Sequence, residues 1–199
     1  MTMHQRRPLL SLLPILLGLP LAACISLGEK PPRTLLTLNA ASPVAVGTSH
    51  SVQNGSVVAV LVPTVPQALM TQRVPVRTGN NSVAYLKDAL WVEQPSRLFR
   101  ALLAETIAAR TGRIVPDLRL ASFAPDTRLT GRLLNFGLDA PSSNVIVTYD
   151  AMLLRSGSSE TRRFEARVPV ADHDPETVAT ALNQAANQVA AEVSDWLGR

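Results

Sequence analysis

The sequence predicts an α/β chain of the α+β type, in which a mixed, largely antiparallel sheet carries two amphipathic helices on one face. Three observations predict it. The strand-like runs Arg128 to Leu138, Asn144 to Arg155 and Arg162 to Val170 are separated by short polar turns, so an antiparallel meander is expected. Two segments, opening at Pro95 and at Pro175, repeat apolar residues at spacings of three and four, as a helix with one buried face requires. Val57 to Val62 is an unbroken apolar run rich in β-branched residues, the pattern of a strand covered on both faces and placed centrally in its sheet.

The amino terminus has a different character from the rest. Met1 to Arg7 is polar and contains Arg6 and Arg7, and Leu9 to Leu21 is apolar apart from Ser11, Pro14, Gly18 and Pro20. That layout is a secretory signal. A spanning helix needs roughly 20 apolar residues, and this run is shorter and interrupted by two prolines. It ends in Leu21-Ala22-Ala23-Cys24, which resembles the bacterial lipobox, where a large apolar residue and two small ones precede the cysteine that receives lipid. The competing reading makes Cys24 an ordinary cysteine beside an Ala-x-Ala-like cleavage site. Residues 1–23 are therefore expected to be a signal peptide, 24–33 a lipidated, proline-containing tether, and 34–199 a single folded domain. Each buried acyl methylene contributes about 0.8 kcal/mol, so acyl chains on Cys24 would hold the chain to a membrane without a spanning helix.

Within the domain, Thr34 to Leu38 is expected as a short strand and Ala40 to Gly55 as a long polar connection. Gly79-Asn80-Asn81-Ser82 is a turn sequence, and strands at Arg73 to Arg77 and Ser82 to Leu86 would make a hairpin around it. The first helix starts at Pro95, places Leu98, Phe99, Leu102, Leu103 and Ile107 on one face, and stops at Thr111-Gly112. Arg113 to Pro116 is a predicted short strand, followed by a loop through Pro125. In the last strand Phe164, Ala166, Val168 and Val170 alternate with Arg163, Glu165 and Arg167, which implies one buried and one wet face. Asp174 is the expected N-cap of the closing helix, whose stripe runs through Val178, Leu182, Ala185, Val189, Val193 and Trp196. Asn183, Gln184, Asn187 and Gln188 are expected on its solvated face. With both helices on one side, the other sheet face is only partly covered, and apolar residues remaining there could meet another chain, including a second copy in a homo-oligomer.

Composition excludes several chemistries. Cys24 is the only cysteine, so no intramolecular disulfide, thiolate metal cage or dithiol redox pair can be built. The net charge of +4 falls to 4 − 2 = +2 once Arg6 and Arg7 are removed, and the arginines are interspersed with acids, which argues against nucleic acid as a partner. Asp172-His173-Asp174 taken alone suggests a metal or acid–base pair, but its position before a helix reads as a cap, and His50 is the only other histidine after the expected signal. No Gly-x-Ser-x-Gly elbow and no phosphate-binding glycine loop is present. No catalytic, cofactor-binding or metal-binding residue is assigned, and an enzyme is not expected. Tyr85 and Trp91 are candidate partner-binding residues, since aromatics are enriched at interaction hot spots; they are equally readable as core closing the hairpin onto the first helix.

From Val57 onward the order of features resembles the auxiliary lipoprotein component of ABC-type transport systems, in particular the lipoproteins that accompany lipid-carrying MCE proteins. The resemblance runs through Val57 to Val62, Pro66-Gln67-Ala68-Leu69, Arg73-Val74-Pro75-Val76-Arg77, Tyr85, Trp91-Val92-Glu93-Gln94-Pro95 and Arg113-Ile114-Val115-Pro116 to the three strands and the closing helix, covering roughly Thr34 to Leu197. It implies a non-enzymatic periplasmic lipoprotein that docks an MCE-family protein within a lipid transport machine, with no cofactor. Sorting in such bacteria generally retains chains with Asp after the lipidated cysteine in the inner membrane; Ile25 stands there, which implies the outer membrane. The alternatives are a periplasmic lipid-binding module and a structural lipoprotein of another envelope assembly complex.

The anchor makes a direct prediction. Mass spectrometry of the mature protein should find acyl mass on an amino-terminal Cys24, and Cys24→Ser should release the chain from membranes; a freely soluble, unacylated wild-type chain contradicts it.

Overall fold

The computed structural model describes residues 34–49, 57–117 and 125–198. The expected signal peptide, Cys24 and the expected tether lie outside the described residues, as do residues 50–55 of the predicted polar connection and most of the loop before Pro125. Six strands and two helices follow in the order β1 (Val58–Val60), β2 (Arg73–Gly79), β3 (Ser82–Leu90), α1 (Pro95–Thr111), β4 (Thr127–Asp139), β5 (Asn144–Arg155), β6 (Ser158–Pro169) and α2 (Pro175–Leu197). The sheet is mixed and mostly antiparallel, as predicted, with the order β3-β2-β4-β5-β6 and β1 alongside β4.

β4, β5 and β6 form the expected meander, in register from Asp139↔Asn144 to Thr127↔Arg155 and from Arg155↔Ser158 to Asn144↔Pro169. The turn between β5 and β6 consists of Ser156 and Gly157, both at positive φ (23° and 86°), as a two-residue hairpin turn matched to the strand twist requires. The other side of β4 is shared by two parallel partners. β1 pairs Val58 to Val60 with Thr127 to Leu129, and the chain keeps bonding through Thr64 N–H to Gly131 O (3.0 Å) and Leu133 N–H to Thr64 O (2.9 Å). After a 3-10 turn at Gln67–Leu69, β2 resumes beside the far end of β4 at Val76↔Leu138 and Arg77↔Asp139. Gly137 permits that approach: a Cβ there would lie 2.3 Å from the Pro75 carbonyl oxygen. β2 and β3 form the predicted hairpin.

Both helices pack on one face. Phe99 of α1 lies 5.2 Å from the Tyr149 ring of β5 and 6.3 Å from Phe136 of β4, whose ring is in turn 5.5 Å from Trp91 at the end of β3. Trp196 of α2 lies 5.6 Å from Phe164 of β6. Because Tyr149 stands opposite both Leu133 and Phe164 in the ladder, these rings share one face and form one continuous core. α1 ends at Gly112, whose φ of 66° suits a left-handed cap. α2 begins as predicted, with Asp174 Oδ1 accepting from the N–H groups of Glu176 (2.9 Å) and Thr177 (3.1 Å). The whole predicted stripe from Val178 to Trp196 is buried.

Two predicted strands shrink to single bridges. Arg113 to Pro116 contributes only Ile114, which pairs with Val57, and Thr34 to Leu38 contributes only Leu36, which pairs with Trp91. Beyond Leu36 the chain bonds to helix side chains in place of a strand. Asn183 Oδ1 accepts from Asn39 N–H (2.8 Å), Asn187 Oδ1 from Ala41 N–H (2.8 Å), and Glu105 carboxylate from Val44 N–H (2.7 Å), while Asn187 Nδ2 donates to Asn39 O (2.9 Å). The solvated-face reading therefore holds for Gln184 and Gln188, which are exposed, whereas Asn183 and Asn187 are half-buried and latch this segment.

The aromatic chain and the close β2–β4 approach set the expected effects of mutation. Phe99→Ala should cost about 3–5 kcal/mol, and Gly137→Ala about 1–3 kcal/mol through the Pro75 carbonyl, both read as a lower urea midpoint with native-like circular dichroism at zero denaturant.

Candidate interaction surface

The sheet face away from the helices is built from the alternate residues of β4, β5 and β6. On it Asp150 is the hub: Arg163 Nε and Nη2 donate to its two oxygens at 2.6 and 2.8 Å, and Arg132 Nη2 lies 3.7 Å away. Only 27% of the Asp150 side chain is exposed, against 62% of Arg163 and 64% of Arg132. A second row runs from Asn135 Nδ2 to Thr148 Oγ1 (3.1 Å), from Thr148 to Glu165 (2.8 Å) and from Arg167 Nε to Glu165 (2.8 Å). The hydrogen bonds from Arg163 hold the Asp150 carboxyl below its ordinary range, and the Thr148 hydroxyl does the same for Glu165, aided by Arg167. These strands thus present a lattice of paired charges in which Asp150, Thr148 and Glu165 are each tied to a neighbouring strand.

At the end where β2 meets β4, the face carries an apolar recess of about 130 Å³ bounded by Pro66, Leu69, Pro75, Val83, Leu134 and Ile146. That is below the roughly 300–1,000 Å³ of ordinary small-molecule sites. Its floor includes Asp139, whose side chain is 4% exposed; Arg77 Nη2 is 2.6 Å from Oδ1, an ion-pair contact outside hydrogen-bond geometry, and Ser142 Oγ donates to Oδ2. Two glutamines pin the 3-10 turn beside it: Gln94 Nε2 donates to Met70 O (3.1 Å) and Gln72 Nε2 to Val92 O (2.9 Å). Met70 and Val83 remain exposed around that end.

The two aromatic candidates separate. Trp91 is fully buried against Phe136, and its Nε1 has no hydrogen-bond partner among the described residues, so its ring belongs to the core. Tyr85 is half-exposed on β3, with the Arg73 guanidinium 5.0 Å from its ring and its hydroxyl donating to Ala68 O at 3.4 Å. Asp172-His173-Asp174 serves as a cap: the Asp172 carboxylate accepts from Asp174 N–H (3.3 Å), and hydrogen bonding, first with Asp172 and then with Thr177, holds the Asp174 carboxyl well below the usual range. Among the described residues no cluster of three His, Cys, Asp or Glu side chains is placed to hold a metal, and no helix is long and apolar enough to cross a membrane.

Sequence reasoning missed the charge lattice. Alternation places Arg163, Glu165 and Arg167 together on a wet face, but their partnership with Asp150 and Thr148 depends on the β5–β6 register, which only the two-residue turn sets.

The fold is thus a mixed sheet with two helices filling one face and a lattice of paired charges on the other. The chain belongs to the family of ABC-type transport auxiliary lipoprotein components, whose model matches residues 36–194. Two solved structures share the fold. One is a Xanthomonas campestris protein of family DUF330, at TM-score 0.61 and 21% identity over 83% of this chain and 91% of that one. The other is an uncharacterized protein at TM-score 0.64 and 17% identity, covering 74% and 96%. No curated protein matches in sequence.

The depressed carboxyls fix the sign of the pH response. Asp150 and Glu165 add stability above the unfolded-state carboxylate values of about 4, and that contribution is lost as pH falls through their lower folded values. The melting temperature should stay flat from pH 7 to about 5 and fall below about 4. Asp150→Asn should lower it at neutral pH and flatten the acid limb; an unchanged acid slope in that variant contradicts the assignment.

Proposed function

We propose that this family member is a non-enzymatic docking subunit of an MCE-associated lipid transport system, held by acyl chains on Cys24 at the periplasmic face of the outer membrane. Residues 1–23 are the cleaved signal and 24–33 the tether that lets the domain, 34–199, stand off from the lipid surface. The observation that carries the docking reading is the filled interior. The space between sheet and helices, where a lipid module would keep its ligand, is occupied by Trp91, Phe99, Phe136, Tyr149 and Phe164, each no more than 2% exposed. What the molecule offers to a partner is its outside, where the charge lattice, the small recess and Tyr85 lie. A recess of about 130 Å³ suits one inserted side chain of a protein partner.

A form lacking residues 1–24 should co-purify with the MCE-family protein and contain no phospholipid. Tyr85→Ala should weaken that complex about tenfold at unchanged melting temperature. Stoichiometric phospholipid in the purified domain would instead support the lipid-binding alternative, and failure to bind any MCE protein would remove the docking role.

A further inference from the structure

β6 is the outermost strand of the sheet, and among the described residues nothing pairs with its outer side. Its inner side is set by the two-residue turn, which makes Arg155 and Ser158 a hydrogen-bonded pair, and by Val170 N–H donating to Ser143 O (2.9 Å) at the opposite end. Hydrogen-bonded pairs alternate along an antiparallel ladder, so even-numbered residues of β6 bond inward. Ser159, Thr161, Arg163, Glu165 and Arg167 therefore turn their N–H and C=O groups outward. An edge of this length is a template for another strand unless its side chains forbid pairing.

The side chains here discriminate between registers. Consider two copies of β6 paired antiparallel about a two-fold axis. An axis through Arg163 sets Arg163 against itself, and one through Glu165 sets Glu165 against itself and Arg163 against Arg167. An axis at Ala166 shortens the overlap and sets Pro169, which has no N–H to donate, against Arg163, whereas an axis at Phe164 meets Pro169 only at the far end of the ladder, opposite Ser159. With the axis at Phe164, Arg163 of each copy faces Glu165 of the other, and Thr161 faces Arg167; every outward N–H and C=O of these four residues finds a partner. The lattice on the open face then continues across the junction, from Arg132 through Asp150 and Arg163 to Glu165 and Thr148 of the second copy. Opposite charges alternate along that row from Arg132 to Glu165, and the Thr148 hydroxyl closes it by donating to the Glu165 carboxylate.

We propose that the outer edge of β6 pairs antiparallel with the same edge of a second copy of this chain, about a two-fold axis at Phe164, with reciprocal Arg163–Glu165 contacts selecting the register. Isologous pairing of this kind extends the sheet without a new fold and needs each surface to be its own complement. It leaves the recess and Tyr85 free, so it is independent of the docking reading.

The test uses the protein as purified from cells, in detergent, by sedimentation with protein mass counted per complex. Wild type should be dimeric. Arg163→Glu and Glu165→Arg should each weaken self-association at least about tenfold, since each sets like charges in contact. An equimolar mixture of the two variants should restore dimers, because every facing pair is then opposite in charge. A monomeric wild type, dimers indifferent to both variants, or a mixture that stays monomeric while both variants keep the wild-type circular dichroism overturns the proposal. Hydrogen exchange on wild type tests it without any substitution. The Arg163 and Glu165 amides should exchange more slowly as protein concentration rises, and concentration-independent fast exchange overturns the pairing.

Discussion

β4 is hydrogen-bonded to β5 on one side and to a relay of two chain segments on the other, and most of the architecture follows from that arrangement. It is the longest strand, and it lies in the interior of the sheet, where an unpaired backbone amide or carbonyl is costly. β5 satisfies one side from end to end. The other side is satisfied in relay: β1 and its extension to Thr64 cover the first half, and β2 covers the last residues. The 3-10 turn between them lets one segment of chain leave the sheet and rejoin it. The recess lies at that point of departure because the sheet is locally missing a neighbour there.

The relay also explains why a chain with few aromatic residues builds a firm core. Trp91, Phe136, Phe99 and Tyr149 stand in edge and tilted contacts that link the hairpin, β4, α1 and β5 in one sequence. Each ring covers a large apolar area, and such geometries add favourable quadrupole contacts. Tyr149 keeps its hydroxyl paired to Thr130 O at 2.8 Å, and burial pushes its ionisation up, so it remains a neutral phenol. On the far side, Arg100 of α1 donates to Val60 O (3.0 Å) and Arg155 of β5 to Leu197 O (2.6 Å), closing carbonyls at the ends of β1 and α2. Side chains thus serve as substitutes for ladder partners where the elements end.

A filled helix side and an open, charge-patterned side divide the molecule by task. The filled side provides stability and leaves little room for cargo. The open side carries groups that are oriented before any partner arrives, because Asp150, Glu165 and Thr148 are each tied to a neighbour on another strand. Pre-oriented charge favours selection among partners more than raw affinity. That division is consistent with an auxiliary lipoprotein component of a transport system.

Sequence alone determined the elements whose physics is local: the α1 and α2 stripes, the Asp174 cap, the Gly112 stop, the β2–β3 turn and the three-strand meander. In these, periodicity and turn chemistry act within a few residues. Tertiary structure decided what depends on distant partners. Leu36 and Ile114 form single bridges, to Trp91 and Val57, because how much of a strand-like run pairs is settled by partners distant in the sequence. Asn183 and Asn187, polar positions on a helix and expected to face water, became latches because residues 39–41 cross over them. Trp91 and Tyr85, alike in the sequence, parted because only Trp91 sits where β3 turns into α1 and its ring falls under Phe136. The charge lattice was half legible, since alternation put Arg163, Glu165 and Arg167 on one face. Their partners depended on the register between β5 and β6, which is fixed by where within the polar run Ser156 to Ser159 the two-residue turn falls; a shift of one residue would move every side chain to the other face.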